Sequence, residues 1–162
     1  MKISAKGRYA LDLMIDVVEH GSDKCVSIKE SARRLDCSQK YLEQVAAQLA
    51  KGGLLHSVRG SSGGYTLTRF PREYTAGDIL RITEGSLSPI SCVEGGDCAR
   101  LSECGTIDFW TGFNKVIQDY VDSVTLDDLV RSKEEKAGNN YCIGRLLCPS
   151  LHCVPPHFAP IG

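Results

Sequence analysis

The sequence holds no apolar run approaching the roughly 18 residues that a membrane-crossing helix requires. Its opening stretch, Met1-Lys-Ile-Ser-Ala-Lys-Gly-Arg-Tyr9, lacks the apolar core of a secretion signal. Both absences lead to the expectation of a cytoplasmic protein with no membrane partner. Net charge is nearly absent as well, 19 Lys/Arg standing against 20 Asp/Glu. No Cys-x-x-Cys pair precedes a strand–helix–strand pattern, and no paired acid and base groups are set out as catalysis would need. A thiol oxidoreductase is therefore poorly supported, and the chain reads as a non-enzyme.

What the chain does contain is unevenly placed. Residues 1–70 hold eleven Lys/Arg and seven Asp/Glu, a net of +4; residues 71–162 hold eight and thirteen, a net of −5. A basic amino half beside an acidic carboxyl half predicts that only the first faces a polyanion. Eight cysteines in a chain of the reducing cytoplasm point to metal or redox chemistry rather than structural disulfides. Cys25 and Cys37 stand alone and read as small packing residues. Cys92, Cys98 and Cys104 differ: they lie six apart, twice over, in a stretch of Gly, Asp, Glu and Ser that reads as a loop. Three thiols on one short loop can converge on a point. Structural zinc usually takes cysteines separated by about two to four residues. The five-residue gaps therefore favour a larger object, an iron–sulfur cluster, with zinc and redox-active thiols as the alternatives.

Taken in order, Tyr9, Ala10, Leu13, Met14, Val17 and Val18 recur at helical spacing after Ser4 and predict a helix over 4–20. Ser27-Ile-Lys-Glu30 has the form of a capping box and opens a short helix to about Leu35. Asp36-Cys-Ser38 is a turn, and Ser38 caps a longer helix that Gly52-Gly53 stops. Leu54–Val58 and Tyr65–Thr68 read as two strands around a Gly/Ser turn, a wing directly after a helix-turn-helix. Thr75-Ala-Gly-Asp78 starts another helix, ending by Gly85. Beyond the cysteine loop, Phe109, Trp110, Phe113, Val116, Ile117, Tyr120, Val121 and Val124 form a stripe too apolar for a lone surface helix, which predicts a dimerisation helix. Thr125 caps a last short helix to about Lys136.

The expected fold is mainly α with a small β-hairpin. It comprises a winged helix-turn-helix DNA-binding domain (1–85), a cysteine loop (86–105), a dimerisation helix with a short terminal helix (106–136), and a flexible tail (137–162) carrying Cys142, Cys148 and Cys153. Ser38, Gln39, Lys40, Tyr41 and Gln44 occupy the first turns of the reading helix; Gln pairs with adenine edges, and Ser and Tyr reach bases or phosphates. Arg59 suits a narrow minor groove. Gly63 and Gly64 let the wing backbone approach phosphates, and Lys6, Arg8 and Lys40 are phosphate contacts.

Ser4-Ala-Lys-Gly-Arg-Tyr-Ala10, Tyr41-Leu-Glu-Gln44, Leu54 through Gly60, Gly63-Gly-Tyr65 and the triple-cysteine loop together resemble the Rrf-type winged-helix transcriptional regulators. That family includes IscR, NsrR and CymR, and the likeness is to its iron–sulfur-binding branch. The resemblance covers about residues 1–135. It implies a homodimer on a palindromic operator in double-stranded DNA, with Cys92, Cys98 and Cys104 as ligands of a cluster, [2Fe–2S] placed ahead of [4Fe–4S]. Two departures stand out. One branch of the family completes the site with a histidine where this chain has Ile107, and another with an acidic residue where this chain has Arg8. Asp108, Asp12, a water or small thiol, and the tail's Cys142, Cys148, His152 and Cys153 remain as fourth-ligand candidates. Ser61 stands where the iron–sulfur biogenesis branch has a wing-tip proline.

Overall fold

The structure is a computed structural model and describes residues 2–21, 24–60, 63–95, 98 and 101–139. Among the described residues six α-helices and one hairpin follow each other: α1 (Ala5–His20), α2 (Ile28–Arg34), α3 (Gln39–Lys51), β1 (Leu55–Val58), β2 (Gly64–Leu67), α4 (Ala76–Glu84), α5 (Ile107–Ser123) and α6 (Leu126–Asn139). The expected class, mainly α with one small hairpin, is what the chain adopts. Among the described residues no helix is long and apolar enough to cross a membrane.

The core forms where the helical periodicity placed it. Leu13, Met14 and Val17 of α1, Leu42, Val45 and Leu49 of α3, Ile79 of α4 and Leu126 of α6 are all buried in one cluster. Each buried Leu or Ile side chain contributes about 1.5–3 kcal/mol relative to exposure. The turn between α2 and α3 is made by Asp36 in the left-handed region (φ 48), which a short polar side chain tolerates. Gly53 (φ 76) ends α3 and lets the Leu54 amide reach back to the Leu49 carbonyl at 2.9 Å.

Several boundaries move. Ser27 precedes α2 as expected, but its side chain makes no cap bond; the amides of Glu30 and Ser31 bond to its backbone carbonyl instead. The second strand starts and ends one residue early. Thr68 has left the ladder because its amide donates to the Tyr74 hydroxyl (2.8 Å) and its own hydroxyl donates to the Gly53 carbonyl (2.7 Å). Val26 adds an isolated antiparallel bridge to β2 of the wing, exchanging two backbone hydrogen bonds with Tyr65 at 2.9 and 3.0 Å. The last helix runs to Asn139, three residues past Lys136. It packs on α1, with Leu126 fully buried and Lys133 paired to Glu19 at 2.6 Å. Tail residues from Asn140 on, with their cysteines and histidines, lie outside the described residues, as do Ser61 and Ser62 of the wing tip.

Candidate nucleic-acid interface and thiol loop

Ser38 is the N-cap of α3, its hydroxyl accepting from the Tyr41 amide at 3.2 Å. Gln39, Lys40 and Gln44 are exposed on the first two turns, and Gln39 donates to Glu43 at 2.8 Å. Tyr41 is half-buried and meets Tyr9 edge-on at 5.7 Å, while the Arg8 guanidinium lies 5.4 Å from the Tyr9 ring centre. The start of α1 and the start of α3 therefore share one side of the domain. Arg59 is exposed at the end of β1. The glycines at 63 and 64 meet a requirement inside the fold: a Cβ on Gly63 would overlap the Val58 carbonyl, and one on Gly64 the Val26 carbonyl.

The charges sort by location. Of the described cations of the carboxyl half, Arg81, Lys115, Arg131 and Lys133 are ion-paired, while Arg72 and Lys136 are not. Arg8, Lys29, Arg33, Lys40 and Arg59 of the amino half form no ion pair among the described residues. Among the described residues most unpaired cations thus lie in the amino half, as a polyanion-binding face needs.

The thiol loop is built from two short 3₁₀ turns, Ser91–Glu94 and Leu101–Glu103. Cys92, Cys98 and Cys104 are all half-buried and free. Cys104 sits just before α5, its sulfur 3.5 Å from the Thr106 hydroxyl. That hydroxyl, followed by the amides of Thr106 and Ile107, holds the Cys104 thiol below its ordinary range, the direction that favours a metal-binding thiolate. The three sulfurs are not gathered within 4.8 Å of one another; among the described residues the one triad of ligand-type side chains so gathered is Asp16, Glu19 and His20. That triad is already committed, Asp16 to Arg34 and Glu19 to Lys133. Thiolates sharing one tetrahedral ion stand only about 4 Å apart, so the loop is not a preformed single-ion site. Its three thiols are soft donors, which fit a polynuclear iron–sulfur group. Ile107 is half-buried at the first position of α5 and brings no donor atom; Asp108 beside it is exposed, and Asp12 lies on α1 where burial raises its pKa. Cys37 packs against the core with its thiol pushed up by burial and then by Asp36 and Asp12, consistent with an inert packing residue.

Helix α5 joins this loop to the rest. Arg81 of α4 grips Asp122 through both carboxylate oxygens (2.6 and 2.9 Å) and also donates to Gln118. Gly77 permits the approach, since a Cβ there would overlap the Asp122 carboxylate. At the other end of α4, Glu84 accepts from the Ser4 hydroxyl (2.6 Å) and the Gly7 amide (2.8 Å), so it caps α1 from outside. Burial opposes its ionisation, but those donors and Lys6 outweigh it and lower its pKa. The opposite face of α5 is open: Phe109, Phe113, Val116 and Tyr120 are 64, 44, 64 and 69% exposed. Their four-three-four spacing is the seam pattern of paired helices.

The family model described as "Rrf2: Iron-dependent Transcriptional regulator" matches residues 3–132. The chain is an Rrf2-family transcriptional regulator. CymR of Bacillus subtilis is 38% identical over 129 residues, 80% of this chain and 89% of that protein. Its solved structure, described as that of the global cysteine regulator of the organism, superposes with a TM-score of 0.68 over 82% of this chain and 98% of its own. IscR of Pectobacterium carotovorum is 34% identical over 134 residues, 83% of this chain and 82% of that protein. The solved T. potens IscR is 40% identical, with a TM-score of 0.67 and coverage of 84 and 90%. Both relatives are named HTH-type transcriptional regulators, and this Rrf2-family chain is a DNA-binding transcriptional regulator like them.

Three polar features escaped the sequence reading. Buried Asp16 accepts from Ser31 (2.6 Å) and from Arg34 (2.6 and 2.7 Å), tying α1 to α2. The Tyr74 hydroxyl, fully buried, takes the amides of Thr68 and Arg69 and reaches the Leu54 carbonyl. Arg81 clasps α5. Each joins residues far apart in sequence or looks like an ordinary helix-surface charge, so no local pattern marks it.

Proposed function

We propose that this Rrf2-family regulator is a homodimer whose affinity for a palindromic operator responds to an iron–sulfur cluster held by Cys92, Cys98 and Cys104. The observation that carries the reading is the set of three thiols on the loop that leads into α5, with the Cys104 sulfur drawn toward thiolate by Thr106. When bound, the cluster would supply a redox-active, removable charge at that point. The chain's own residues supply the transmission. The Arg81–Asp122–Gln118 clasp makes α4 and α5 move as one piece. Glu84 then links the end of α4 to the amino end of α1, where Lys6 and Arg8 sit beside the Tyr9–Tyr41 contact with α3. Gln39, Lys40, Tyr41 and Gln44 read the major groove, with Ser38 at the helix start; Arg59, Gly63 and Gly64 carry the wing, and Lys6 and Arg8 hold phosphates. A useful switch needs a difference in DNA affinity of only about 1–3 kcal/mol between the two states. The exposed seam on α5 takes the same seam of a second copy, setting the spacing of two reading helices.

Ile107 and the similarity to CymR favour a second reading. In it the same fold answers a metabolite or a partner protein, and the loop holds zinc or redox-active thiols.

Anaerobic purification with metal analysis, absorption and Mössbauer spectra separates the two. Iron and sulfide that vanish in Cys92→Ala, Cys98→Ala and Cys104→Ala support the cluster. A colourless zinc-containing protein supports the second reading. Iron content unchanged in all three variants removes the site assignment altogether.

A further inference from the structure

We infer that α2 carries a clamp for the DNA phosphate backbone, formed by Lys29 and Arg33 beside Ser27. The inference rests on the DNA-binding role of the family and is independent of what the thiol loop holds.

Helix α2 divides its side chains sharply. Ile28, Ser31 and Ala32 are buried, while Lys29, Glu30, Arg33 and Arg34 are exposed. The two neighbouring arginines have different fates. Arg34 is consumed by Asp16, gripping it at 2.6 and 2.7 Å. Arg33 and Lys29 form no ion pair among the described residues. Their spacing of four puts them on one face of the helix. With Ser27 and Glu30 they line an open cleft of about 380 Å³. The Ser27 hydroxyl is not spent on capping and remains available as a donor. Glu30 is the one anion among the described residues lining the cleft, and Arg34 feels its charge.

The position matters as much as the charge. In a helix-turn-helix the first helix crosses the DNA backbone while the second enters the major groove. Here the first helix is α2, so the face that meets the backbone offers a lysine, an arginine and a hydroxyl. Arg grips a phosphate through two parallel N–H groups and Lys supplies a mobile point charge. Such contacts add affinity and fix register but carry no base information.

The test is the salt dependence of binding to a mixed-sequence DNA duplex, measured by fluorescence anisotropy on the full chain. Each lost phosphate contact lowers the slope of log Kd against log salt by about 0.9. Lys29→Gln with Arg33→Gln should flatten the slope by about 2 for each protomer engaged, so that over a fourfold rise in salt it loses about tenfold less affinity per protomer than wild type. Lys136→Gln on α6 serves as the charge control and should leave the slope unchanged. The charge-keeping pair Lys29→Arg with Arg33→Lys should keep the wild-type slope, which separates lost contacts from lost fold. A glutamine double variant whose slope matches the Lys136 control overturns the clamp, as does a charge-keeping pair that flattens the slope as much.

Discussion

Asparagine and alanine at Asp16 probe a buried carboxylate that ties α1 to the helix-turn-helix. The side chain is 1% exposed as a residue and accepts from Ser31 and twice from Arg34. Hydrogen bonds to a charged partner are worth about 1.5–3 kcal/mol each, and an orphaned buried group costs about 1–3 kcal/mol. The Arg34 side chain is 28% exposed, so water can reach it after the carboxylate is gone. Ser31 is fully buried and has no such recourse. Asp16→Ala should therefore cost about 3–4 kcal/mol, and Asp16→Asn, which keeps an acceptor in place, about 1–2 kcal/mol.

The pH dependence follows from the direction of the Asp16 pKa. Burial alone would raise it, but the hydrogen bonds from Arg34 and Ser31 and the charges of Arg34 and His20 hold it below its ordinary value. A carboxyl whose folded pKa is depressed stabilises fully above its unfolded pKa and loses that contribution as pH falls through the folded value. Wild type should then lead Asp16→Asn between about pH 7 and about pH 5, and the margin should close below about pH 4. Urea denaturation followed by far-UV circular dichroism measures it. A margin that persists undiminished in acid, or an asparagine as costly as the alanine, would refute the ion-pair account.

Tyr74→Phe removes the hydroxyl that serves the Thr68 and Arg69 amides, and should lower stability by about 1–3 kcal/mol in a thermal melt; an unchanged Tm counts against that anchor. Gly77→Val drives a side chain into the Arg81–Asp122 clasp and should cost about 1–3 kcal/mol, with altered emission from Trp110, the single tryptophan, on α5; an unperturbed spectrum means that α4 and α5 are not held as described. Val116→Asp with Tyr120→Asp places charge in the exposed seam and should turn a dimer into a monomer by light scattering, while a dimer that survives removes α5 as its interface.

The two readings of Ser27 and Thr75 show where local pattern suffices. Thr75 and Asp78 form the reciprocal cap that their spacing suggests, with bonds of 3.0 and 3.2 Å. Ser27 and Glu30 have the same form, yet the Ser27 side chain stays out of the cap. The chain arrives there from Val26, which is bonded to Tyr65 across the wing. A non-local strand contact of that kind leaves no trace in a four-residue motif. The stripe on α5 was legible as apolar, but its division was not: Val121 faces Gly77 and α4, while Phe109, Phe113, Val116 and Tyr120 face outward.

The sequence by itself determined the helix periodicity, the glycine stops, the wing and the three-cysteine loop, because each depends on neighbours within a few residues. That Ile107 brings no donor atom was equally plain, since it is a matter of residue identity. Only the tertiary structure decided which cations are free and which are spent. Arg33 and Arg34 are adjacent and chemically identical, and one is consumed by Asp16, 18 residues away. It also decided that the thiol loop connects to α1 through Arg81 and Glu84, by contacts spanning 41 and 80 residues. Long-range ion pairs depend on how the helices pack, and packing is a property of the whole core.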